Sequence, residues 1–294
     1  MALNPSVLKT RSLTAAVFVV VMLAGLLWNP WSFLLLFSVI HFGCWIEYEK
    51  IMVLIDKDYA KISPLHRYSV IIAGWCLMLY FSNGGLSIGG IYLNTIGWWG
   101  CMGFLALFVI GEIIGYNTLN FKNIGRSALG LVYISFSLAL LTNLRTAYVL
   151  VPIPFLDRIP VLMIIGSIWI NDTMAYIVGS LIGRTPLSAI SPKKTWEGTI
   201  GGIILSIGVM GAIGWSLNKP QSFGLYAPQH WMAVAAIAAI TGTFGDLLES
   251  KLKRMAGIKD SGQIMPGHGG FLDRFDSLLI ATPFAWCYLL WLVG

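Results

Sequence analysis

Nine apolar runs, most of them close to the length a bilayer demands, dominate this chain and decide what it can fold into. They read Leu13 to Trp28, Trp31 to Ile55, Tyr68 to Phe81, Trp98 to Tyr116, Ser127 to Leu144, Ile159 to Ile182, Trp196 to Leu217, Trp231 to Leu252 and Phe275 to Val293. A helix rising about 1.5 Å per residue crosses a hydrocarbon core of about 30 Å in roughly 20 residues. The chain is therefore read as an all-α integral membrane protein, a polytopic bundle of about nine transmembrane helices. Composition excludes a soluble domain: 57% of the 294 residues are hydrophobic and 11% charged, with a mean hydropathy of +0.77. The third run is short and residues 83–97 are Gly-rich without charge, so the boundaries of spans three and four are soft and the count is eight to ten.

Lys9 and Arg11 before an apolar run imitate a signal peptide. The turn "WNPW" leads straight into a second long run with no small-residue cleavage site between, so the first run is expected to be a helix of the protein. Cys44, Cys76, Cys101 and Cys287 lie inside apolar runs without CxxC spacing. They read as small buried hydrophobes, with no metal or disulfide signal.

The net charge of +6 has meaning by position. When the connections are assigned alternately to two sides, the N-terminal side receives 16 of the 19 Lys and Arg, and Arg145, Arg158 and Lys219 fall on the other. The positive-inside rule then makes the N-terminus cytoplasmic and favours an odd number of spans. Tryptophans such as Trp28, Trp31, Trp98 and Trp99 near span ends form an aromatic belt.

Many of the 13 acids lie in or beside the spans. An ionised carboxylate costs at least about 2.5 kcal/mol in hydrocarbon, so such residues face a polar interior or have a partner. Glu112 is either a site residue or a satisfied polar contact between helices. Glu47 and Glu49, close to Lys50, read as interfacial. Asp246, Glu249, Ser250 and Lys253 recur at i, i+3, i+4 and i+7 on one helix face, and Asp172, Tyr176 and Gly179 do the same in the sixth span. Asp273 and Asp276, three apart, open the ninth helix. Three helices thus offer carboxylates to one cytoplasm-facing polar cavity, and carboxylates beside glycines suit a hard cation such as Mg²⁺.

The stretch "SAISPKKTWEGTIGG", residues 188–202, adds an anion site. Ser191 reads as an N-cap and Pro192 as the first helical residue, placing Lys193 and Lys194 in the first turn of the seventh helix, where free N–H groups and the helix dipole favour phosphate. The alternative is a pair of lysines marking a helix end. Gly198 and Gly202 form a GxxxG pair that lets a helix or a ligand approach the backbone. No GxxxxGK[ST] is present, which excludes a P-loop. In "MPGHGGFLDR", Gly267, Gly269 and Gly270 let backbone amides reach an anion, and Arg274 adds donors; His268 is a further donor or a turn residue.

The run "SKLKRMAGIKDSGQIMPGHGGFLDRFD", residues 250–276, resembles the signature of the phosphatidate cytidylyltransferase (CDP-diacylglycerol synthase) family, and residues 169–277 as a whole are similar to it. The resemblance implies transfer of CMP from CTP to phosphatidic acid, giving CDP-diacylglycerol and pyrophosphate, with Mg²⁺ and a second cation such as K⁺. It makes Asp246, Asp273 and Asp276 metal ligands and catalytic residues, with Lys253 and His268 beside them. Substrate contacts would come from Asp172, Ser191, Lys193, Lys194, Glu197, Glu249, Ser250, Arg254, Lys259, Gly267, Gly269, Gly270 and Arg274. Residues 1–158 would supply about five spans, and residues 159–294 the four that carry the signature. Expected partners are CTP, phosphatidic acid, membrane lipids and a second copy of the chain, with no nucleic acid. The expected location is the inner membrane, with the site facing the cytoplasm. Two rivals stay open: a CTP-dependent polyprenol kinase of the dolichol-kinase type, and a cation-coupled transporter, motivated by Asp172, Glu112 and Asp246 within spans.

Overall fold

The computed structural model describes residues 5–115, 120–147, 157–217, 227–262 and 269–293. Among the described residues every apolar run is helical, as α1 (Pro5–Leu27), α2 (Pro30–Ile55), α3 (Pro64–Tyr80), α4 (Leu93–Gly115), α5 (Phe121–Gly130), α6 (Ser137–Thr146), α7 (Ile159–Ile182), α8 (Trp196–Leu217), α9 (Pro228–Met255) and α10 (Leu272–Val293). Leu131–Phe136 is a π turn that joins α5 to α6 in one continuous helix. Seven described helices are long and apolar enough to cross a membrane: α2, α4, α5–α6, α7, α8, α9 and α10. The protein is an all-α polytopic membrane protein.

Local signals set the boundaries. Asn29 and Ser32 form a reciprocal capping box before α2, and Pro30 follows the cap. Ser63 caps α3 by accepting the His66 amide at 3.0 Å, with Pro64 next. The Gly-rich stretch before the fourth run is a small hairpin, β1 (Ser87–Ile88) paired with β2 (Ile91–Tyr92). Its turn residues Gly89 and Gly90 sit at φ +58° and +84°, a left-handed pair open to glycine at no steric cost. Helix α4 starts directly after it, five residues ahead of the expected Trp98.

The chain divides into two compact units, residues 1–158 with 255–274 and residues 159–254 with 275–294. In the first, Phe33, Phe37, Trp45 and Tyr48 are buried. The π turn presents Ser135 Oγ at 2.9 Å to both His41 Nε2 and Trp45 Nε1. Glu112 is a satisfied polar residue: His66 bonds it through Nδ1 (2.6 Å) and bonds Ser127 Oγ through Nε2 (2.7 Å), and Tyr59 OH lies 2.9 Å from the same hydroxyl.

Just beyond α2, Asp56 accepts from Lys122 and Arg126 at 2.7 Å each and from the Asp58 amide at 2.9 Å. These partners, Lys122 foremost, hold its carboxyl well below its ordinary value of 3.8. A carboxylate with a depressed folded pKa stabilises above the unfolded pKa and ceases to as pH falls through the folded one. The Tm difference between wild type and Asp56→Asn is therefore expected to be constant from neutral pH to about 5 and to narrow progressively as pH falls below about 4. A thermal-shift series in detergent checks this.

In the second unit α7 and α8 pack through small residues. A Cβ on Gly202 would lie 2.8 Å from the Asn171 carbonyl oxygen and 2.7 Å from the Ala175 Cβ, and one on Gly198 would lie 2.7 Å from the Ala175 carbonyl oxygen. The GxxxG pair thus serves helix packing. Gly202→Ala is expected to lower stability by about 1–3 kcal/mol through overpacking. Gly208→Ala on the same helix, where a Cβ meets nothing within 4 Å, should leave the Tm unchanged or raise it.

Candidate functional site

The lysine pair is where sequence and structure part. Ser191–Thr195 is a strand, β4, paired antiparallel with β3 (Pro186–Ser188). Lys193 and Lys194 are therefore not in a helix, and Ser191 is not its cap. The hairpin closes on the Trp196 amide, which donates to the Thr185 carbonyl at 2.9 Å, and this pairing holds residues 191–195 extended. Helix α8 begins at Trp196, and Thr195 Oγ1 accepts the Gly198 amide at 3.1 Å, so Thr195 caps it. Glu197 closes the other side of the hairpin, accepting from Arg184 N–H (3.1 Å), Thr185 N–H (3.2 Å) and Thr185 Oγ1 (2.8 Å).

Alternation along β4 gives the two lysines different roles. Lys193 is exposed. The Lys194 ammonium makes an ion pair with the Asp246 carboxylate on α9. Ser250, one turn along α9, donates to Asp246 Oδ1 at 3.3 Å. Asp276 on α10 is buried and takes the Ser277 amide at 2.6 Å, and it interacts electrostatically with Asp246, Lys194 and Asp172. Asp172, exposed on α7, also feels Lys194 and Asp246. Four separate elements thus bring three carboxylates to one lysine.

The close crossing of α9 and α10 makes this possible. A Cβ on Gly245 would stand 2.5 Å from the Asp276 carbonyl oxygen, so glycine immediately before Asp246 lets the two acid-bearing helices meet. On the adjoining face Glu249 is buried and pairs with Lys253 at 2.5 Å. Arg254 is exposed at the end of α9.

A second group of expected residues lies in the first unit. Asp273 opens α10, and its Oδ2 accepts the amides of Gly270 (2.8 Å) and Ser261 (2.9 Å). The Gly270 N–H therefore faces the protein's own carboxylate. Gly269, at φ +84°, has room for a Cβ only at 2.5 Å from Asp273 Oδ2, so the turn needs glycine twice over. Lys259 and Arg274 are exposed. Gly267 and His268 lie outside the described residues.

Glu47 has a role that the sequence does not show. It is buried within the protein, 1% exposed. Its Oε1 accepts the Phe271 amide (2.9 Å), and its Oε2 accepts the Leu272 amide (2.8 Å) and the Ser261 hydroxyl (2.6 Å). It thereby caps α10 and ties Ser261 to the segment bearing Asp273. An acid inside an apolar run was its one signal.

Among the described residues no group of three His, Cys, Asp or Glu side chains is arranged as a ready-made metal cage. What the second unit offers is a pair of hard oxygen donors, Asp246 and Asp276, in a cluster whose carboxylates outnumber its lysine. That donor set suits Mg²⁺, which characteristically takes one or two protein carboxylates and completes its shell with substrate phosphates and water.

A family model described as "Cytidylyltransferase family" matches residues 9–292. A phosphatidate cytidylyltransferase of Bacillus subtilis is 34% identical over 194 residues, covering 63% of this chain and 67% of the relative. A phosphatidate cytidylyltransferase of Synechocystis is 43% identical over 134 residues, 44% of this chain and 42% of the relative. The chloroplastic phosphatidate cytidylyltransferase 4 of Arabidopsis thaliana is 44% identical over 119 residues, 40% of this chain and 29% of the relative. The chain thus spans less than half the length of the plant and cyanobacterial relatives it matches.

Proposed function

Because the chain belongs to the cytidylyltransferase family, we propose that it transfers CMP from CTP to phosphatidic acid, forming CDP-diacylglycerol and releasing pyrophosphate. The observation that carries this reading is the Asp172–Lys194–Asp246–Asp276 cluster, which sets cation-binding and anion-binding groups side by side. A nucleoside triphosphate loaded with Mg²⁺ needs both.

The attacking oxygen belongs to the lipid phosphate and is already anionic near neutral pH, so the site has no need of a strong base. A bond forms from that oxygen to the α-phosphorus, and the bond to the bridging oxygen of the β-phosphate breaks. The obstacle is repulsion between two polyanions, and positioning with charge compensation removes it. Asp246 and Asp276 would hold Mg²⁺; the ligand role expected of Asp273 rests on the family resemblance alone. When bound, the ion neutralises triphosphate charge and that of the leaving pyrophosphate. Lys194, drawn from Asp246 to a substrate phosphate, would add a second positive charge, and exposed Lys193, Arg254, Lys259 and Arg274 would attract both anions from water and leaflet. Glu197 and Glu249 support this site by holding backbone and Lys253.

The Lys and Arg bias supports a site at the cytoplasmic face of the membrane, in bacteria the inner membrane. A second cation such as K⁺ and a homodimer belong to the same proposal through the family alone. The test is direct: purified protein given phosphatidic acid, CTP and Mg²⁺ is expected to release pyrophosphate and yield a cytosine-bearing lipid. Absence of that lipid from folded protein would overturn the proposal.

A further inference from the structure

A groove with a cavity of about 350 Å³ runs along α2, lined by Val39, Phe42, Gly43, Ile46 and Lys50, with Phe271 across from them. The α2 positions recur at helical spacing, so they form one stripe. From residue 39 to residue 50 the stripe rises about 16 Å, roughly half of a 30 Å hydrocarbon core and hence one leaflet deep. Val39 and Ile46 are 52% and 53% exposed, and exposed apolar side chains on a membrane span face lipid.

The two ends differ in chemistry. Among the described residues Lys50 forms no ion pair, while its neighbour Glu49 is taken by Arg67 at 3.4 Å. Glu47, also on the groove wall, spends its carboxylate on Ser261, Phe271 and Leu272. Lys50 is thus the exposed charge at the polar end, where the buried Glu47 carboxylate is turned to its own three donors. This end abuts the Asp273 loop, because the Ser261 held by Glu47 also donates its amide to Asp273. An apolar slot one leaflet deep, with a lysine at its head, complements an anionic lipid.

We propose that this groove seats one acyl chain of phosphatidic acid, with the headgroup phosphate paired to Lys50, so that α2 sets chain-length preference. This rests on the reading of the chain as a phosphatidate cytidylyltransferase. Ile46→Trp fills the groove, and Val20→Trp, at a 65% exposed position on α1, is the control. The ratio of kcat/KM for dioleoyl over dihexanoyl phosphatidic acid is expected to fall about tenfold in Ile46→Trp, the equivalent of about two methylenes withdrawn from apolar contact. It should stay at the wild-type value in Val20→Trp. A phosphatidic acid with a diazirine in its acyl chain should label residues 39–46 in wild type and lose that label in Ile46→Trp.

If wild type turns over phosphatidic acid but the ratio moves equally in both variants and α2 is unlabelled, the groove holds something else, such as a second copy of the chain, and the inference fails alone. If wild type turns over neither lipid, the proposed function fails and the groove loses its substrate with it.

Discussion

Asp246→Asn is expected to lower kcat by about 10²–10³-fold while leaving the Tm almost unchanged. The two halves of that result come from one arrangement. Asp246 is about one-third exposed and paired with Lys194, and a partly exposed ion pair contributes at most about 1 kcal/mol. Its loss is offset because Asp276 and Asp172 no longer face a third negative charge. For the reaction, the same substitution removes a charged oxygen donor and frees Lys194 from its counter-charge. The half-saturating Mg²⁺ concentration should therefore rise together with the fall in kcat. A variant that lost stability and activity in parallel would mark Asp246 as a structural residue.

Glu47→Ala is expected to do the reverse, acting first on the fold. It leaves the Phe271 and Leu272 amides and the Ser261 hydroxyl without their acceptor in a buried place. Hydrogen bonds to a charged group are worth about 1.5–3 kcal/mol each and do not add fully, so the cost is on the order of 3–5 kcal/mol. In a protein of this size that is a fall in Tm of roughly 10 °C. Activity should fall as well, since Ser261 and the first turn of α10 hold Asp273. Glu47→Gln keeps one acceptor oxygen, which can serve the Leu272 amide and the Ser261 hydroxyl but turns an NH₂ toward the Phe271 amide. Its loss of Tm should be about half as large. Thermal unfolding of the three proteins in one detergent checks the order.

These two residues also show what the sequence could and could not reveal. Asp246 was legible because its companions Glu249, Ser250 and Lys253 recur at helical spacing within one apolar run, and the period of a helix is a local property. The spans were legible for the same reason. Glu47 was not, because its partners lie 214 to 225 residues away and no local pattern records them. The start of α8 failed for a different cause. "SPKKT" carries a cap signal at Ser191 followed by Pro192, and cap chemistry alone does not decide whether a helix starts there. Pairing with Pro186–Ser188 holds the stretch extended instead, which turned an expected helix N-terminus into a strand. Lys194 still meets a carboxylate, by strand alternation instead of helix geometry.

Supplying phosphatidic acid and Mg²⁺ with CTP labelled at either the α- or the γ-phosphorus, and following which label enters the lipid, tests the central claim most directly. The account predicts that the α-label enters the lipid, the γ-label leaves with pyrophosphate, and Asp246→Asn suppresses both. Entry of the γ-label, with polyprenol also present, would contradict it in favour of a kinase. Entry of neither label into lipid, with folded protein, would contradict it altogether.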